Sequence, residues 1–351
     1  MRWAIRAAHS GAQPTPSGIP VPVALSVLDL AFVAPRQSAR EALSCSVALA
    51  QRAEALGYRR VWYAEHHNMA AIASSATSVL IAHIAAHTRT IRLGAGGVML
   101  PNHAPLVIAE QFGTLESLHP GRIDLGVGRA PGTDPATMRA LRAHLSGAES
   151  FPNDVLELQG YLGEQSLIPG VEATPGKGTR VPIYILGSSL FGAKLAAKLG
   201  LPYGFASHFA PAALEEAVFV YRRDFRAVGS LEAPYVIAGL NVIAAPTRAE
   251  AEEQFAFVQR ARVKFLLGRN ANLSDADAEA ILGSPAGQAI KDMATYSAVG
   301  TESEVRDYVT RFARLSQADE VITVHPSPTL EGRLRSLELL HSAMLNPVQP
   351  S

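Results

Sequence analysis

Cysteine is almost absent from this chain. Cys45 is the only one in 351 residues, which excludes a disulfide framework and any metal site built from several thiolates. Cys45 falls within a helical pattern from Ala39 to Leu56, where a lone thiol reads as an inert packing residue, and so thiol-poor a chain points to a reducing, cytoplasmic location. Net charge is absent too: Lys+Arg and Asp+Glu are each 31. With no block of one sign, neither nucleic acid nor an anionic membrane is an expected partner. No stretch reaches the roughly 18 uninterrupted apolar residues of a membrane span; even Val79 to Ala86 is broken by His83. Acidic residues are missing before Asp29, and residues 1–20 hold Gly11, Pro14, Pro16, Gly18 and Pro20 without the apolar centre of a secretory signal. They read as a flexible tail, as do residues 346–351.

What remains is 48% hydrophobic and 18% charged, enough to fill a sizeable core. The length admits two domains, but α/β barrels routinely exceed 250 residues as one unit, and a single domain over residues 21–345 is expected. Eight β-rich runs alternate with amphipathic helical stretches: Val23 to Ala31, Arg60 to Glu65, Ile91 to Val98, Ile123 to Val127, Ile183 to Leu186, Tyr203 to Ala206, Val236 to Val242 and Val321 to Val324. Most are continuously apolar, as strands covered on both faces are. Helix starts are marked by Ser38 with Glu41, Thr247 with Glu250 and Thr301 with Glu304, each spaced as a capping box, and helix ends by Gly57 and Gly200. The count is that of an α/β fold, a (β/α)8 TIM barrel, with a doubly wound open sheet as the competing arrangement. Residues 131–181, after the fourth strand, and 268–300, after the seventh strand and its helix, exceed a minimal barrel. The second is rich in Asn, Asp, Ser and Gly, and is read as a loop able to close over a site.

A barrel builds its site where the strands end. The second strand runs into Glu65-His66-His67-Asn68, the third into Gly94-Ala95-Gly96-Gly97, the fourth into Gly126-Val127-Gly128-Arg129, the fifth into Gly187-Ser188-Ser189 and the sixth into Ser207-His208. Successive strand residues face opposite ways, so at most one of His66 and His67 enters the barrel mouth, where an imidazole acts as acid, base or hydrogen-bond donor. Glu65, His66, His67, His103 and His208 also form a candidate metal set for a barrel hydrolase, although no His-x-His pair is present, and no metal is expected. Both glycine clusters lack the last glycine of the dinucleotide fingerprint; paired glycines in a strand instead mark a bulge, a packing relief or close approach to a flat ligand. Gly187-Ser188-Ser189 opens a helix and is read either as an ordinary cap or as a phosphate seat, with Arg129 as a second partner for the same anion.

Together, Glu65-His66-His67, Gly96 to Pro101, His119-Pro120-Gly121-Arg122, Leu125 to Arg129 and Tyr184 to Ser189 resemble the bacterial luciferase-like flavin monooxygenases, in the subgroup of single-chain relatives of the luciferase α subunit. The resemblance extends over about residues 22–345. It implies reduced FMN bound at the barrel rim and molecular oxygen as co-substrate, with a separate flavin reductase and a homodimer joined through Ser75 to His87 and Pro105 to Leu118. By position it implies His66 and His67 as catalytic residues and a cis peptide between Gly96 and Gly97 against the flavin ring. Arg129, Ser189 and the neighbouring Gly187 and Ser188 fall at the flavin phosphate, and Met99, Leu100 and Phe209 in a substrate pocket. Ser188 stands where luciferase has glutamate. A deazaflavin-dependent reductase, a metal-dependent barrel hydrolase and a non-catalytic flavin-binding protein are the alternatives, and light emission does not follow.

Overall fold

The computed structural model describes residues 23–34, 36–130, 134–142, 147–267 and 273–345. The expected tails at 1–20 and 346–351 lie outside them. Eight parallel strands close into a barrel: β1 (Ala24–Asp29), β2 (Arg60–Tyr63), β3 (Arg92–Met99), β4 (Ile123–Gly128), β5 (Ile183–Gly187), β6 (Tyr203–Phe205), β7 (Val236–Ala244) and β9 (Glu320–Val324). The ring closes because β7 pairs with both β6 and β9, and β9 with β1. The (β/α)8 expectation holds, and the open sheet is excluded.

The helices that cover the barrel are α1 (Ala39–Ala55), α2 (Thr77–Ala86), α3 (Pro105–Leu118), α6 (Leu190–Leu199), α7 (Leu214–Asp224), α11 (Glu302–Leu315) and α12 (Leu330–Leu345). The insertion after β4 contributes α4 (Pro135–Ala140) and α5 (Gly147–Leu162), and the one after β7 begins with α8 (Arg248–Leu267). Both strand-end insertions are therefore present. Capping boxes form at Ser38 with Glu41 and at Thr301 with Glu304, while Thr247 accepts the Glu250 N–H at 3.3 Å. Gly57 and Gly200 take the left-handed conformation, φ +79° and +64°, that ends a helix without a Cβ clash.

The region from 268 to 300 departs from the loop expected of it. Residues 268–272 lie outside the described residues, and the rest holds α9 (Asp275–Leu282), α10 (Pro285–Asp292) and a ninth strand, β8 (Ser297–Gly300), which extends β7. Its polar residues serve as caps. Ser274 accepts the Asp277 N–H and Ser284 the Gly287 N–H, so side chains that read as loop composition satisfy orphan amides of two short helices.

Inside the barrel, side chains stack in layers. Arg60, at the start of β2, sits between Asp124 of β4 at 2.7 Å and Glu320 of β9 at 2.9 Å. The Tyr184 hydroxyl and Trp62 Nε1 complete the cluster, which plugs the amino-terminal end. Above it Leu28, Trp62, Tyr184, Ile237 and Ile322 form an apolar layer. A Cβ at Gly94 or Gly96 would fall 2.8–2.9 Å from Trp62, so those two glycines make room for the indole.

Candidate active site

Two-residue alternation along β2 and its continuation sends Arg60, Trp62, Ala64 and His66 inward. Trp62, Ala64 and His66 line a cavity of about 260 Å³ at the carboxyl ends of the strands, with Leu28, Ile237 and Ile322 from the layer below. Gly96, Gly97, Met99, Gly128, Arg129, Gly187, Ser188, Ser189, His208 and Phe209 also line it. The strand-end clusters therefore converge on one mouth. No Asp or Glu lines it among the described residues.

His66 Nδ1 is buried without a hydrogen-bond partner. Burial lowers the pKa of this imidazole from its ordinary value, outweighing the Ala64 backbone and the charge of Glu65, so the ring stands neutral at pH 7. His208 is pushed further, to about 3, by burial and then by the charges of Arg262 and His66. Two neutral imidazoles thus face the cavity, each able to donate or accept once.

Glu65 and His67 point to the other side. The buried Glu65 carboxylate lies 2.8 Å from His67 Nε2 and 2.9 Å from His103 Nε2, and accepts the Met99 N–H at 3.0 Å. Burial alone would raise this carboxyl; His103, the Met99 N–H and His67 outweigh it and hold the pKa below the usual value. The Glu65 N–H donates to the Gly97 carbonyl at 3.2 Å, so one residue ties the end of β2 to the cavity-lining end of β3. Donor atoms of Glu65, His67 and His103 lie within 4.8 Å of one another, close enough for a metal ion, but none of the three lines the cavity. Of the five metal candidates, His66 and His208 line the cavity and stand outside this trio.

The Gly96–Gly97 peptide is cis, as the resemblance implies, and both residues line the cavity. A Cβ on Gly97 would come within 2.6 Å of Leu186 Cδ1 and 2.7 Å of the Gly126 carbonyl oxygen, so only glycine leaves this wall flat.

Arg129, Ser188, Ser189 and Gly192, at the end of β4 and the start of α6, line the same cavity. Ser189 is the N-cap of α6 but makes no capping side-chain hydrogen bond, so the ordinary cap role is not the one it fills. Ser189, Phe191 and Gly192 bring the start of α6, where the first-turn amides lack intrahelical partners and the helix dipole is positive, to the cavity lining. The Arg129 guanidinium lies over Phe191, its Cζ 3.9 Å from the ring centroid.

One expected pocket residue, Leu100, and one expected catalytic residue, His67, are placed off the cavity. Leu100 is fully buried in the main core, because the chain turns into a short helix at Leu100–Asn102 and carries this side chain away from the mouth. His67 is excluded from the cavity by the register that turns His66 inward. No described residue of 273–300 lines the cavity, which does not support its role as a closing loop. Lining residues missed in the sequence include Trp62, Leu186 and Phe191, which lie on strands or at a helix start already recognised, and Phe151 of α5, which had no signal.

The family model for luciferase-like monooxygenases matches residues 23–318. A protein named luciferase-like monooxygenase from Escherichia coli K12 is 48% identical over 323 residues, covering 90% of this chain and 96% of its own. The N-acetyl-S-alkylcysteine monooxygenase of Bacillus subtilis 168 is 36% identical over 341 residues, covering 92% and 98%. Among solved structures, apo-MsnO8 superposes with a TM-score of 0.83 at 34% identity, covering 92% of this chain and 98% of its own.

Proposed function

The chain belongs to the luciferase-like monooxygenase family and is a flavin-dependent oxidoreductase, and from that premise we propose that it uses reduced FMN and O2 to oxygenate a small organic substrate, the reduced flavin being delivered by a separate reductase. The observation that carries the reading is the pairing, in one cavity, of an anion seat with a flat apolar wall. Arg129, Ser188, Ser189 and the α6 amides would hold the phosphate, and Gly187 leaves room beside it. Gly96, Gly97 and Leu186 would support the ring. When bound, reduced FMN supplies the electron pair with which O2 yields one oxygen atom to the substrate and one to water.

The protein's own contribution is positional. His66, neutral and with Nδ1 unpartnered, would hold or pass a proton beside the ring, and Trp62, Leu28 and Ile322 would keep water out. Met99 and Phe209 would shape the substrate side. N-acetyl-S-alkylcysteines, named for the B. subtilis relative, are the first compounds to screen. A metal-dependent hydrolase is disfavoured because Glu65, His67 and His103 lie off the cavity.

Arg129→Ala and Ser189→Ala are expected to weaken FMN binding, about 10- to 100-fold for the arginine, while riboflavin affinity changes by less than about threefold. Fluorescence titration of both ligands reads this; equal losses for both would remove the phosphate assignment. Preferential binding of a reduced deazaflavin over reduced FMN would replace oxygenation with hydride transfer.

Residues 21–345 act as one domain in this proposal, in a homodimer. α2 and α3 pack side by side, with Ser78 donating to Gln111 at 2.8 Å, and expose Val79, Val107 and Leu118, an apolar face suited to a second copy. Sedimentation equilibrium is expected to return twice the chain mass, and a monomer mass at micromolar concentration would reject it. Among the described residues no helix is long and apolar enough to cross a membrane.

A further inference from the structure

Four carboxylates are buried among the described residues: Asp29, Glu65, Asp124 and Glu320. Three of them face an arginine. Asp29 pairs with Arg333 at 2.6 Å, Asp124 with Arg60 at 2.7 Å and Glu320 with Arg60 at 2.9 Å. Glu65 has no Lys or Arg within ion-pair distance among the described residues. Its neighbours are the imidazoles of His67 and His103, which carry no permanent charge. A buried charge without a fixed counter-ion is unfavourable, and proteins resolve it by pairing or by metal coordination.

The geometry around Glu65 suits coordination. No His-x-His pair is present, but Glu65-x-His67 has the same spacing and presents both ligands to one side. His103 reaches them from the turn after Leu100–Asn102, 38 residues from Glu65. Both Nε2 atoms converge on one oxygen: Glu65 Oε1 lies 2.8 Å from His67 and 2.9 Å from His103. The other oxygen, Oε2, accepts the Met99 N–H at 3.0 Å, the kind of outer bond that orients a metal-ligating carboxylate. Zinc ligands at about 2.0–2.2 Å stand about 3.4 Å apart in a tetrahedron, so each of the two gaps need open by only about half an ångström. The His67 and His103 side chains are 19% and 29% exposed and that of Glu65 2%, so an ion reaches the buried acid past two imidazoles that solvent already touches.

We propose that Glu65, His67 and His103 bind one divalent transition-metal ion of the zinc class, as a clip between the end of β2 and the turn after β3. The ion supplies the charge that Arg60 and Arg333 supply to the other buried carboxylates. Each imidazole ligates through Nε2, its ring proton moving to Nδ1, and water takes the remaining position. The clip bears on the cavity, because the Glu65 N–H donates to the Gly97 carbonyl at 3.2 Å and its carboxylate holds the Met99 N–H, and both Gly97 and Met99 are lining residues. The three ligands themselves do not line it, so the ion's duty is structural and the site stands whichever cofactor fills the cavity.

The test uses the full chain, prepared without a histidine tag and stripped with a chelator. Zn2+ is titrated in competition with a chromophoric chelator, and Co2+ directly, its visible ligand-field bands reporting the ligands. One equivalent of Zn2+ is expected to bind with a Kd tighter than about 10 μM and to raise the thermal midpoint of unfolding. His103→Gln and His67→Gln, at half-buried positions that tolerate the change, should each weaken Zn2+ at least about tenfold and remove both the Co2+ bands and the midpoint shift. Glu65→Gln, of the same shape, should do so too. His83 and His87 on α2, with ring centroids 4.5 Å apart, are the competing imidazole pair, and His83→Gln should leave the affinity within about threefold. A Kd weaker than about 10 μM, an affinity unchanged in His103→Gln and His67→Gln, or loss of the tight site in His83→Gln overturns the proposal.

Discussion

His66→Ala is expected to bind FMN within about threefold of the unmodified protein and to lose about 10²- to 10⁴-fold in the rate of product formation, the range for removing a positioned acid or base. His66 is the imidazole that register places inside the mouth, with its Nδ1 buried and unpartnered. Oxygenated product per reduced FMN consumed, with any substrate the unmodified protein accepts, is the measurement; an unchanged yield and rate would exclude His66 from the chemistry. The pH dependence gives a second check. Burial depresses the His66 pKa, so the neutral ring persists as pH falls through the ordinary imidazole value, and the acid limb of the rate should lie below pH 6.5. His67→Ala tests the opposite arrangement. Its partner is Glu65 behind the wall, and its effect should be carried by flavin affinity rather than by the chemical step.

Arg60→Ala should be the most destabilising single change in the barrel, with a loss of about 3–5 kcal/mol. The side chain is 1% exposed between two carboxylates that are fully buried, so its removal takes away the one cation they share and leaves Asp124 with Arg92 alone and Glu320 with Arg59 at 3.7 Å. Burial by itself lowers the guanidinium pKa, and those two carboxylates more than reverse it. The cavity feels the loss, because Trp62, whose ring forms its floor, donates to Asp124 at 3.1 Å. Urea unfolding followed by circular dichroism reads the difference. The exposed pair of Arg180 with Glu164, at 73% and 64% side-chain exposure, supplies the control, since Arg180→Ala should cost less than about 0.5 kcal/mol. Comparable losses from the two substitutions would show that the buried cluster contributes no more than a surface ion pair.

Arg60 also shows where legibility ends. Its strand was evident from the apolar run that follows it, and nothing local distinguishes it from the exposed Arg59 beside it. Its partners stand 64 and 260 residues away. They meet because β2, β4 and β9 begin at one level of a closed ring, which is a property of shear and closure. The same reason hid Phe151, which reaches the cavity from an insertion. Composition misled at 273–300, where Ser274 and Ser284 are caps and a four-residue strand with only Ala298 and Gly300 buried needs β7 beside it to form.

By itself the sequence determined the eight barrel strands, the helices between them, the glycine ends at Gly57 and Gly200, and the strand ends at which polar residues gather. Those signals are carried by neighbours two to four positions apart, within the reach of backbone periodicity and capping. It also determined that His66 and His67 must face opposite ways. Which of them faces inward was decided by the tertiary structure alone, through the register of β2 against β1 and β3, because parity along a strand is local and the identity of the inner face belongs to the closed barrel.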